Sequence, residues 1–268
     1  MKKIIFCDID GTIVDHPRGM HFVSDKVRYA FSELLKEHLL FLASGRAWAL
    51  LPQDIRDLPV SGCLLSNGSY AFEGDRVLFD HPIGREPLQA VMDFCRENDA
   101  IYYFETHNNV YTNGENRPLH ERFNDNWDFA RKVYRYEPFV FQEPITAAMI
   151  AMETQELVEK ATDEFKDYFD SRQHHGFTSL DLNPLGVNKG SGIRELLEKV
   201  GIDKEDAYAF GDGLNDLEMM TAVGHPIAMG NAFPEIKELC SEVCEDVLDD
   251  GFYHALVRHG LIKPINNV

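Results

Sequence analysis

Short apolar runs alternate with amphipathic segments at both ends of the chain, and this alternation limits the possible fold more than any other feature. Strands are predicted at residues 3–7 and 39–43, with an amphipathic helix at 24–37 between them. Strand-helix-strand repetition places successive strands side by side in the same direction. The two ends therefore predict one parallel sheet wound with helices. Its further predicted elements are strands at 63–65, 207–210 and 227–229, helices at 191–200 and 215–222, and a hairpin at 70–79.

The middle of the chain follows a different pattern. Amphipathic helices at 87–97 and 155–169 are mixed with aromatic strands such as the one at 101–104, a combination that is typical of an α+β domain. We therefore expect a core built from residues 1–82 and 185–268, with a second domain inserted over 83–184. A length of 268 residues accommodates both, since one domain takes roughly 150 residues. Residues 113–143 give no pattern that assigns their structure.

The net charge excludes one class of partner. The chain carries 26 Lys and Arg against 45 Asp and Glu, a formal net charge of -19. A polyanion such as nucleic acid would be repelled, so we expect no nucleic-acid binding. The same field repels a small phosphorylated substrate. Any anion site must therefore be built from local cations, backbone N–H groups or a bound metal.

The chain also lacks the usual signals for export or membrane insertion. After Met1-Lys2-Lys3, only the four apolar residues at 4–7 precede Asp8, whereas the apolar part of a signal peptide takes about 7 to 15. No stretch approaches the roughly 20 apolar residues that span a bilayer. The five cysteines are scattered and odd in number, which is typical of reduced thiols. We expect a cytoplasmic protein with no membrane association.

Polar, glycine-flanked residues follow four of the predicted core strands. In an open α/β sheet the ligand site forms at the carboxyl ends of the strands. Each group taken alone is ordinary turn chemistry, but their joint occurrence indicates a functional site. Strand alternation puts Asp8 and Asp10 on the same side, and Gly11 lets the backbone turn away. The groups are Asp8 and Asp10, Ser44-Gly45-Arg46, Ser66-Asn67-Gly68, and the run from Gly211 to Asp216.

These residue types suit a metal ion and a phosphoryl group. Asp8, Asp212 and Asp216 offer three hard oxygen ligands, which Mg²⁺ prefers. The hydroxyl and N–H groups of Ser44-Gly45 and the ammonium of Lys189 suit phosphate oxygens. Taken alone, Lys189 also fits an ordinary solvated lysine at the start of a helix. Its place where the chain re-enters the core favours a functional role.

The same segments resemble the haloacid dehalogenase superfamily, and within it the Cof-like sugar phosphatases with a cap of the second type. The resemblance implies a Rossmann-like doubly wound α/β core with an inserted α+β cap domain that selects the substrate. Its motifs run in family order along almost the whole chain. They are Asp8-Ile9-Asp10-Gly11-Thr12, Ser44-Gly45-Arg46, Ser66-Asn67-Gly68, Asn188-Lys189-Gly190, Gly211-Asp212-Gly213-Leu214-Asn215-Asp216, and Met229-Gly230-Asn231-Ala232.

The resemblance also implies a role for each matching residue. Asp8 would be the nucleophile that forms an aspartyl-phosphate, and Asp10 would be the general acid and base, with its backbone carbonyl on Mg²⁺. Ser44, Gly45 and Lys189 would hold the phosphoryl oxygens. The remaining roles are Asn67 near the phosphate, Asp212 as a direct Mg²⁺ ligand, and Asn215 and Asp216 orienting ligands or metal-bound water.

The substrate implied is a small phosphorylated metabolite, most simply a sugar phosphate. Two alternatives stay open: a phosphomutase or phosphotransferase that uses the same Asp8, and a non-catalytic sugar-phosphate sensor on the same fold. The chain fits a monomer or a homodimer. Cap residues that could contact the substrate, or be ordinary core and surface residues, are Tyr102, Tyr103, Glu105, His107, His174 and His175.

Overall fold

The structure, a computed structural model, describes residues 2–124, 133–136, 143–174 and 176–265. The chain forms two compact units, which we name the core unit and the cap unit. The core unit comprises Met1–Gly45, Gln53–Phe79 and Asn188–Val268, and the cap unit comprises Arg46–Pro52 and Asp80–Val187. The chain therefore passes between the units four times. The domain boundaries expected from the sequence, at 82/83 and 184/185, instead assign the segment Arg46–Pro52 to the core.

The elements alternate in the core unit and cluster in the cap unit. The strands are β1 (Ile4–Cys7), β2 (Leu39–Ala43), β3 (Gly62–Leu65), β4 (Tyr70–Glu73), β5 (Arg76–Asp80), β6 (Ile101–Glu105), β7 (Val110–Thr112), β8 (Tyr134–Tyr136), β9 (Ala147–Ala151), β10 (Phe169–Gln173), β11 (Ser179–Pro184), β12 (Ala207–Gly211), β13 (His225–Ala228) and β14 (Glu242–Val243). The helices are α1 (Asp25–Leu34), α2 (Gln53–Arg56), α3 (Arg85–Glu97), α4 (Pro118–Asn124), α5 (Gln155–Phe165), α6 (Lys189–Val200), α7 (Leu217–Ala222), α8 (Pro234–Leu239) and α9 (Gly251–Arg258).

The core sheet has eight strands in the order β14-β13-β12-β1-β2-β3-β4-β5. The strands from β14 to β3 pair in parallel, and β4 pairs antiparallel with β3. Every residue of β1, β2, β3 and β12 is buried, as expected for parallel strands covered on both faces. The predicted doubly wound α/β core is confirmed. Its strand order brings the loops after β12, β1, β2 and β3 to one edge of the sheet.

Helix α1 shows why these helices form where they do. The side chain of Ser24 caps the helix by accepting the N–H of Val27 at 3.2 Å. The helix then buries Val27, Phe31 and Leu34 on one stripe, with the spacing of a helical face. Phe31 meets Phe252 of α9 edge-on, with 5.6 Å between the ring centroids. The contact fixes two helices that lie far apart in the chain.

The cap unit is an α+β layer, as predicted. Its sheet has the order β10-β11-β9-β6-β7-β8, and every adjacent pair is antiparallel except β7 and β8. Residues of β6 alternate between two apolar clusters. Tyr102 and Phe104 belong to the first, which they share with helices α3 and α5. The second cluster consists of Ile101, Tyr103, Val110, Tyr134, Met149 and Ala151. Leu50 packs against that second cluster, which explains why its segment groups with the cap unit.

Three predicted helices differ from those observed, the first being the helix predicted over 24–37, which ends at Leu34. The helix predicted over 155–169 ends at Phe165, and Phe169 begins β10, where it pairs with Pro184. Phe165 and Phe169 have helical spacing and are both buried in one cluster, so periodicity alone could not place the end of the helix. The helix predicted from 215 starts at Leu217, after a 3₁₀ turn over Leu214–Asp216. Of the unassigned residues 113–143, the described part contains α4 and β8.

None of the helices in the described ranges combines the length and the apolar character that crossing a bilayer requires.

Helices α6 and α7 contact each other at Gly190, and this contact yields a stability prediction. Gly→Ala inside a helix ordinarily stabilises by about 1 kcal/mol. Here a Cβ at Gly190 would lie 2.2 Å from the backbone carbonyl oxygen of Glu218. We expect Gly190→Ala to destabilise by about 1–3 kcal/mol, measured by urea unfolding. As a control, a Cβ at Gly84 meets its nearest atom at 3.6 Å, so an equal loss in Gly84→Ala would contradict the packing argument.

Candidate active site

The first strand delivers one buried and one exposed carboxyl group. The N–H of Asp8 donates to the carbonyl of Phe210 at 2.9 Å, which extends the pairing with β12 beyond the end of β1. The Asp8 side chain is buried, whereas Asp10 is exposed. Gly11 has a φ of 81°, and a Cβ there would lie 2.1 Å from Oδ2 of Asp212. The loop after β1 can abut Asp212 because Gly11 carries no side chain.

Lys189 is held at the first turn of α6 by a capping box. The side chain of Asn188 accepts the N–H of Ser191 at 2.9 Å, and the hydroxyl of Ser191 accepts the N–H of Asn188 at 2.9 Å. The Lys189 side chain is fully buried, and its Nζ lies 2.6 Å from Oδ1 of Asp8 and 2.6 Å from Oδ1 of Asp216. It is an internal cation between two carboxylates, not a solvated surface lysine.

Asp216 shapes the loop after β12. Its Oδ2 accepts the backbone N–H groups of Asp212 and Gly213, each at 3.0 Å. Its Oδ1 accepts a hydrogen bond from Lys189. Both oxygens of this fully buried carboxylate are therefore engaged by the protein. Asp216 fixes the backbone that carries Asp212.

Asp212 is the carboxylate best suited to a metal ion. Oxygens from Asp8, Asp212 and Asp216 lie within 4.8 Å of one another, in the part of the chain that the structure describes. Over the same part, the buried Oδ1 of Asp212 has no hydrogen-bond partner. A buried carboxylate oxygen without a partner is costly unless a cation is bound to it. The donor set is all oxygen, as Mg²⁺ prefers.

The electrostatics follow from burying these charges together. Burial raises the pKa of Asp8 well above its usual range; Lys189 opposes the rise, while Asp216 and Asp212 add to it. Burial and then repulsion by Asp216 raise the pKa of Asp212 to about 7. Burial alone would lower the pKa of Lys189, but Asp216 and Asp8 outweigh it and the pKa is raised. The lysine is therefore the fixed charge of the site, and a further cation would stabilise the ionised carboxylates.

A second group of predicted residues gathers at the ends of β2 and β3. The N–H of Ser44 donates to the carbonyl of Leu64 at 2.9 Å, and the N–H of Asn67 donates to the carbonyl of Ser44 at 3.1 Å. A Cβ on Gly45 would lie 2.9 Å from Oδ1 of Asn67. Nδ2 of Asn215 lies 3.5 Å from the same oxygen. Ser44, Gly45, Asn67 and Asn215 are thus brought together from three loops.

Asn231, which received no role from the sequence, joins several of these loops. Nδ2 of Asn231 donates to the carbonyl of Gly11 at 2.7 Å and lies 3.5 Å from Oδ2 of Asp212. Its Oδ1 accepts the N–H of Val247 at 3.0 Å. Asn231 lies in the Met229-Gly230-Asn231-Ala232 motif directly after β13. Its place after a core strand was the signal that could have found it.

The cap candidates have varied surroundings. Tyr102 and Tyr103 lie in the two apolar clusters. Glu105 is buried, and its Oε2 accepts the N–H of Ala47 at 3.1 Å. His107 stacks on Trp48, with ring centroids 5.8 Å apart. His174 lies 3.1 Å from Asp181 and 2.8 Å from the hydroxyl of Ser179, and His175 lies outside the described residues.

Comparisons with known proteins agree on one family. A family model described as haloacid dehalogenase-like hydrolase matches residues 5–256. The chain is 30% identical to the Bacillus subtilis protein named "Putative phosphatase YkrA" over 263 residues, 98% of this chain and 99% of that protein. It is 24% identical to the 5-amino-6-(5-phospho-D-ribitylamino)uracil phosphatase YcsE of Bacillus subtilis over 263 residues, 97% of this chain and 96% of that protein.

Solved structures show the same fold. A hypothetical protein from Geobacillus kaustophilus HTA426 is similar with a TM-score of 0.87 and 30% identity, over 98% of this chain and 100% of that chain. A structure described as the HAD subclass IIB sugar phosphatase BT4131 is similar with a TM-score of 0.81 and 24% identity, over 97% of this chain and 100% of that chain. The second likeness bears on the fold alone.

The buried position of Lys189 leads to a stability prediction. Lys189→Met leaves the Asp8 and Asp216 carboxylates buried without their cation, so we expect a loss of about 3–5 kcal/mol at pH 8. The loss should shrink at pH 5, because carboxylates deprived of a cation take up protons more readily. Urea unfolding at the two pH values measures both effects. The control is Lys199→Met on the same helix, where the side chain is 49% exposed, and a pH-independent or equal loss in both variants would contradict the assignment.

Proposed function

Because its family model spans nearly the whole chain, the protein belongs to the haloacid dehalogenase-like hydrolases, and we propose that it is a Mg²⁺-dependent phosphatase acting on a small phosphate monoester. A sugar phosphate is the foremost substrate class. The name of one relative specifies a phosphate ester on a ribityl chain, which is chemistry of this kind. A cytoplasmic location and a monomeric or homodimeric state belong to the same proposal.

One observation carries the proposal: Lys189 is buried between Asp8 and Asp216, at the edge of the sheet where Asp212 also lies. A chain with a net charge of -19 repels phosphate at long range, so it needs a local cation to bind a phosphoryl group. Lys189 supplies that cation within reach of a carboxylate that can act as nucleophile. Ser44 and the backbone N–H of Gly45, with Asn67 alongside, would hold the remaining phosphoryl oxygens.

The proposed reaction has two steps and two carboxylates with separate roles. An oxygen of Asp8 attacks phosphorus, the bond from phosphorus to the substrate oxygen breaks, and Asp10 gives its proton to the departing alcohol. Asp10 then removes a proton from water, whose oxygen attacks phosphorus and releases phosphate from Asp8. The contrast between buried Asp8 and exposed Asp10 supports this division, because proton exchange requires access to water.

The residues present fit a bound Mg²⁺. The ion would be held by the carboxylates of Asp8 and Asp212 and the backbone carbonyl of Asp10, with Asn215 and Asp216 supporting ligands and loop. Among the described residues, Oδ1 of Asp212 has no hydrogen-bond partner, and this supports the assignment. When bound, the ion supplies positive charge that neutralises the phosphoryl oxygens. In the structure Asp216 holds Lys189 and two backbone N–H groups, which fits a supporting role.

Asp8→Asn is the first test of the function. We expect the wild type to release phosphate from members of a panel of sugar, polyol and nucleotide monoesters with Mg²⁺, and to lose this activity with a chelator. Asp8→Asn should lower turnover by at least about a thousandfold, because the amide is a poor nucleophile. The exposed Asp75→Asn is the matched control. Near-normal turnover in Asp8→Asn overturns the nucleophile assignment, and an isomerised bisphosphate product in place of free phosphate indicates a phosphomutase.

Asp10→Asn separates the two steps. A sugar leaving group needs a proton, so the variant should form the aspartyl-phosphate slowly from a sugar phosphate. Nitrophenolate leaves without a proton, so nitrophenyl phosphate should give a fast burst of nitrophenolate, followed by slow phosphate release. Rapid-quench measurement of both products tests this expectation. Unchanged rates with both leaving groups would remove Asp10 from the mechanism.

A further inference from the structure

The chain leaves the core unit directly after two proposed phosphate-binding residues. Ser44 and Gly45 belong to the core unit, and Arg46–Pro52 belongs to the cap unit. Several contacts hold this segment within the cap unit, among them the hydrogen bond from the N–H of Ala47 to Glu105, the stacking of Trp48 on His107, and the packing of Leu50 against the second apolar cluster. Of these contacts, the one with Glu105 lies nearest to Ser44 along the chain.

Glu105 is itself firmly placed. It is the last residue of β6, and its backbone carbonyl accepts the N–H of Thr146 at 2.9 Å. Its side chain is buried, with 8% of the residue exposed. A buried carboxylate at the end of a strand is a poor contact for a sugar in solution. Its Oε2 instead accepts the buried N–H of Ala47 at 3.1 Å, and it attracts the guanidinium of Arg46.

We propose that Glu105 is a positioning residue for phosphate binding. Its ionised carboxylate holds the N–H of Ala47 and the charge of Arg46, and so fixes the backbone that carries Ser44 and Gly45. The proposal rests on the proposed function, since it takes Ser44 and Gly45 as phosphate ligands. Only two residues separate Ser44 from Ala47 in the sequence, so a shift at Ala47 reaches Ser44 over a span of about 11 Å or less.

The charge on Glu105 matters because an ionised acceptor makes a stronger hydrogen bond to N–H than a neutral one. The charged groups that face Glu105 also affect the pH at which it ionises. Burial comes first, followed by Asp181 of β11, and together they raise its pKa to about 7, against the lowering effects of Ala47, Arg46 and His174. The hold on Ala47 should therefore weaken as the pH falls through about 7.

Ionisation of Glu105 strengthens its hold on Ala47 but lowers the stability of the fold. A carboxyl group whose pKa is raised by folding, here from 4.5 to about 7, stabilises the fold below pH 4.5 and loses that contribution as the pH rises through 7. Glu105→Gln keeps the shape and the acceptor oxygen but not the charge. We expect it to raise the Tm relative to the wild type at pH 8 and leave it unchanged at pH 4.5. If the Tm of Glu105→Gln is not lowered, weaker substrate binding by this variant does not result from a folding defect.

The main test compares KM and kcat from pH 5.5 to 8.5 with the best substrate of the panel. In the wild type KM should rise about five- to tenfold as the pH falls through 7, the size expected for one charge-assisted hydrogen bond. Glu105→Gln should have the high KM throughout and a kcat within about twofold of the wild type. Glu105→Asp keeps the charge, so its KM should still rise as the pH falls through 7. A wild-type KM profile in Glu105→Gln overturns the proposal.

Two further variants identify the titrating group. Glu143 lies in the same unit. Partial burial raises its pKa, but hydrogen bonds from Asn109, Asn108 and Thr106 outweigh burial and lower the pKa overall. Glu143→Gln should therefore keep the wild-type rise in KM below pH 7. His174→Gln removes a positive neighbour of Glu105 and should move the rise in KM to higher pH. If His174→Gln instead abolishes the rise, the histidine is the titrating group and the proposal fails.

Measurements without turnover separate this proposal from the proposed function. Hydrogen exchange at the Ala47 amide should be about tenfold faster in Glu105→Gln than in the wild type at pH 8, and equal at pH 5.5. Calorimetric titration with inorganic phosphate and Mg²⁺ should show weaker binding by the variant at pH 8 only. A protein that hydrolyses no monoester but shows both differences refutes the phosphatase and keeps the positioning role. Equal exchange, or equal phosphate binding at pH 8, refutes the positioning role.

Discussion

The buried ammonium of Lys189 is the interaction on which the rest of the site depends. It lies between Asp8, which follows the central strand β1, and Asp216, which anchors the loop after β12. Without it, mutually repelling carboxylates would be buried together at the edge of the sheet. Because Lys189 begins the first helix after the inserted unit, the same contact joins the two halves of the core across the insertion. One side chain therefore joins the two halves of the core and supplies the cation that the proposed phosphate site requires.

The sequence predicts the core and the position of its polar residues well, for a physical reason. Parallel strands buried on both faces read as continuous apolar runs, and the residues just after them must lie at one sheet edge. Asp8, Ser44 and Asp212 could be found in this way, and Lys189 by its place where the chain re-enters the core. The pairing of Lys189 with Asp8 could not, because it spans 181 residues and depends on how α6 is seated against the sheet.

The features that sequence reasoning missed arise from tertiary packing. The segment Arg46–Pro52 belongs to the cap unit because Leu50 and Trp48 find apolar and aromatic partners there, which no local pattern reveals. Glu105 is a polar residue at a strand end and would ordinarily be solvated, yet it is buried against a backbone N–H. Asn231 joins three loops through one amide group, and its motif has the composition of an ordinary turn.

The pairing of β1 with β12 also determines when the site can form during synthesis. Ile4 lies beside Ala207 in the core sheet, and Cys7 lies beside Phe210. A nascent chain can pair β1 with β2 early, but the other edge of β1 stays unpaired until β12, about 200 residues later, has been synthesised. The inserted cap unit, whose strands pair among themselves, is complete earlier and can fold first. The carboxylate cluster can therefore assemble only after the inserted unit has been synthesised, so the folding of the site is coupled to long-range pairing across that unit.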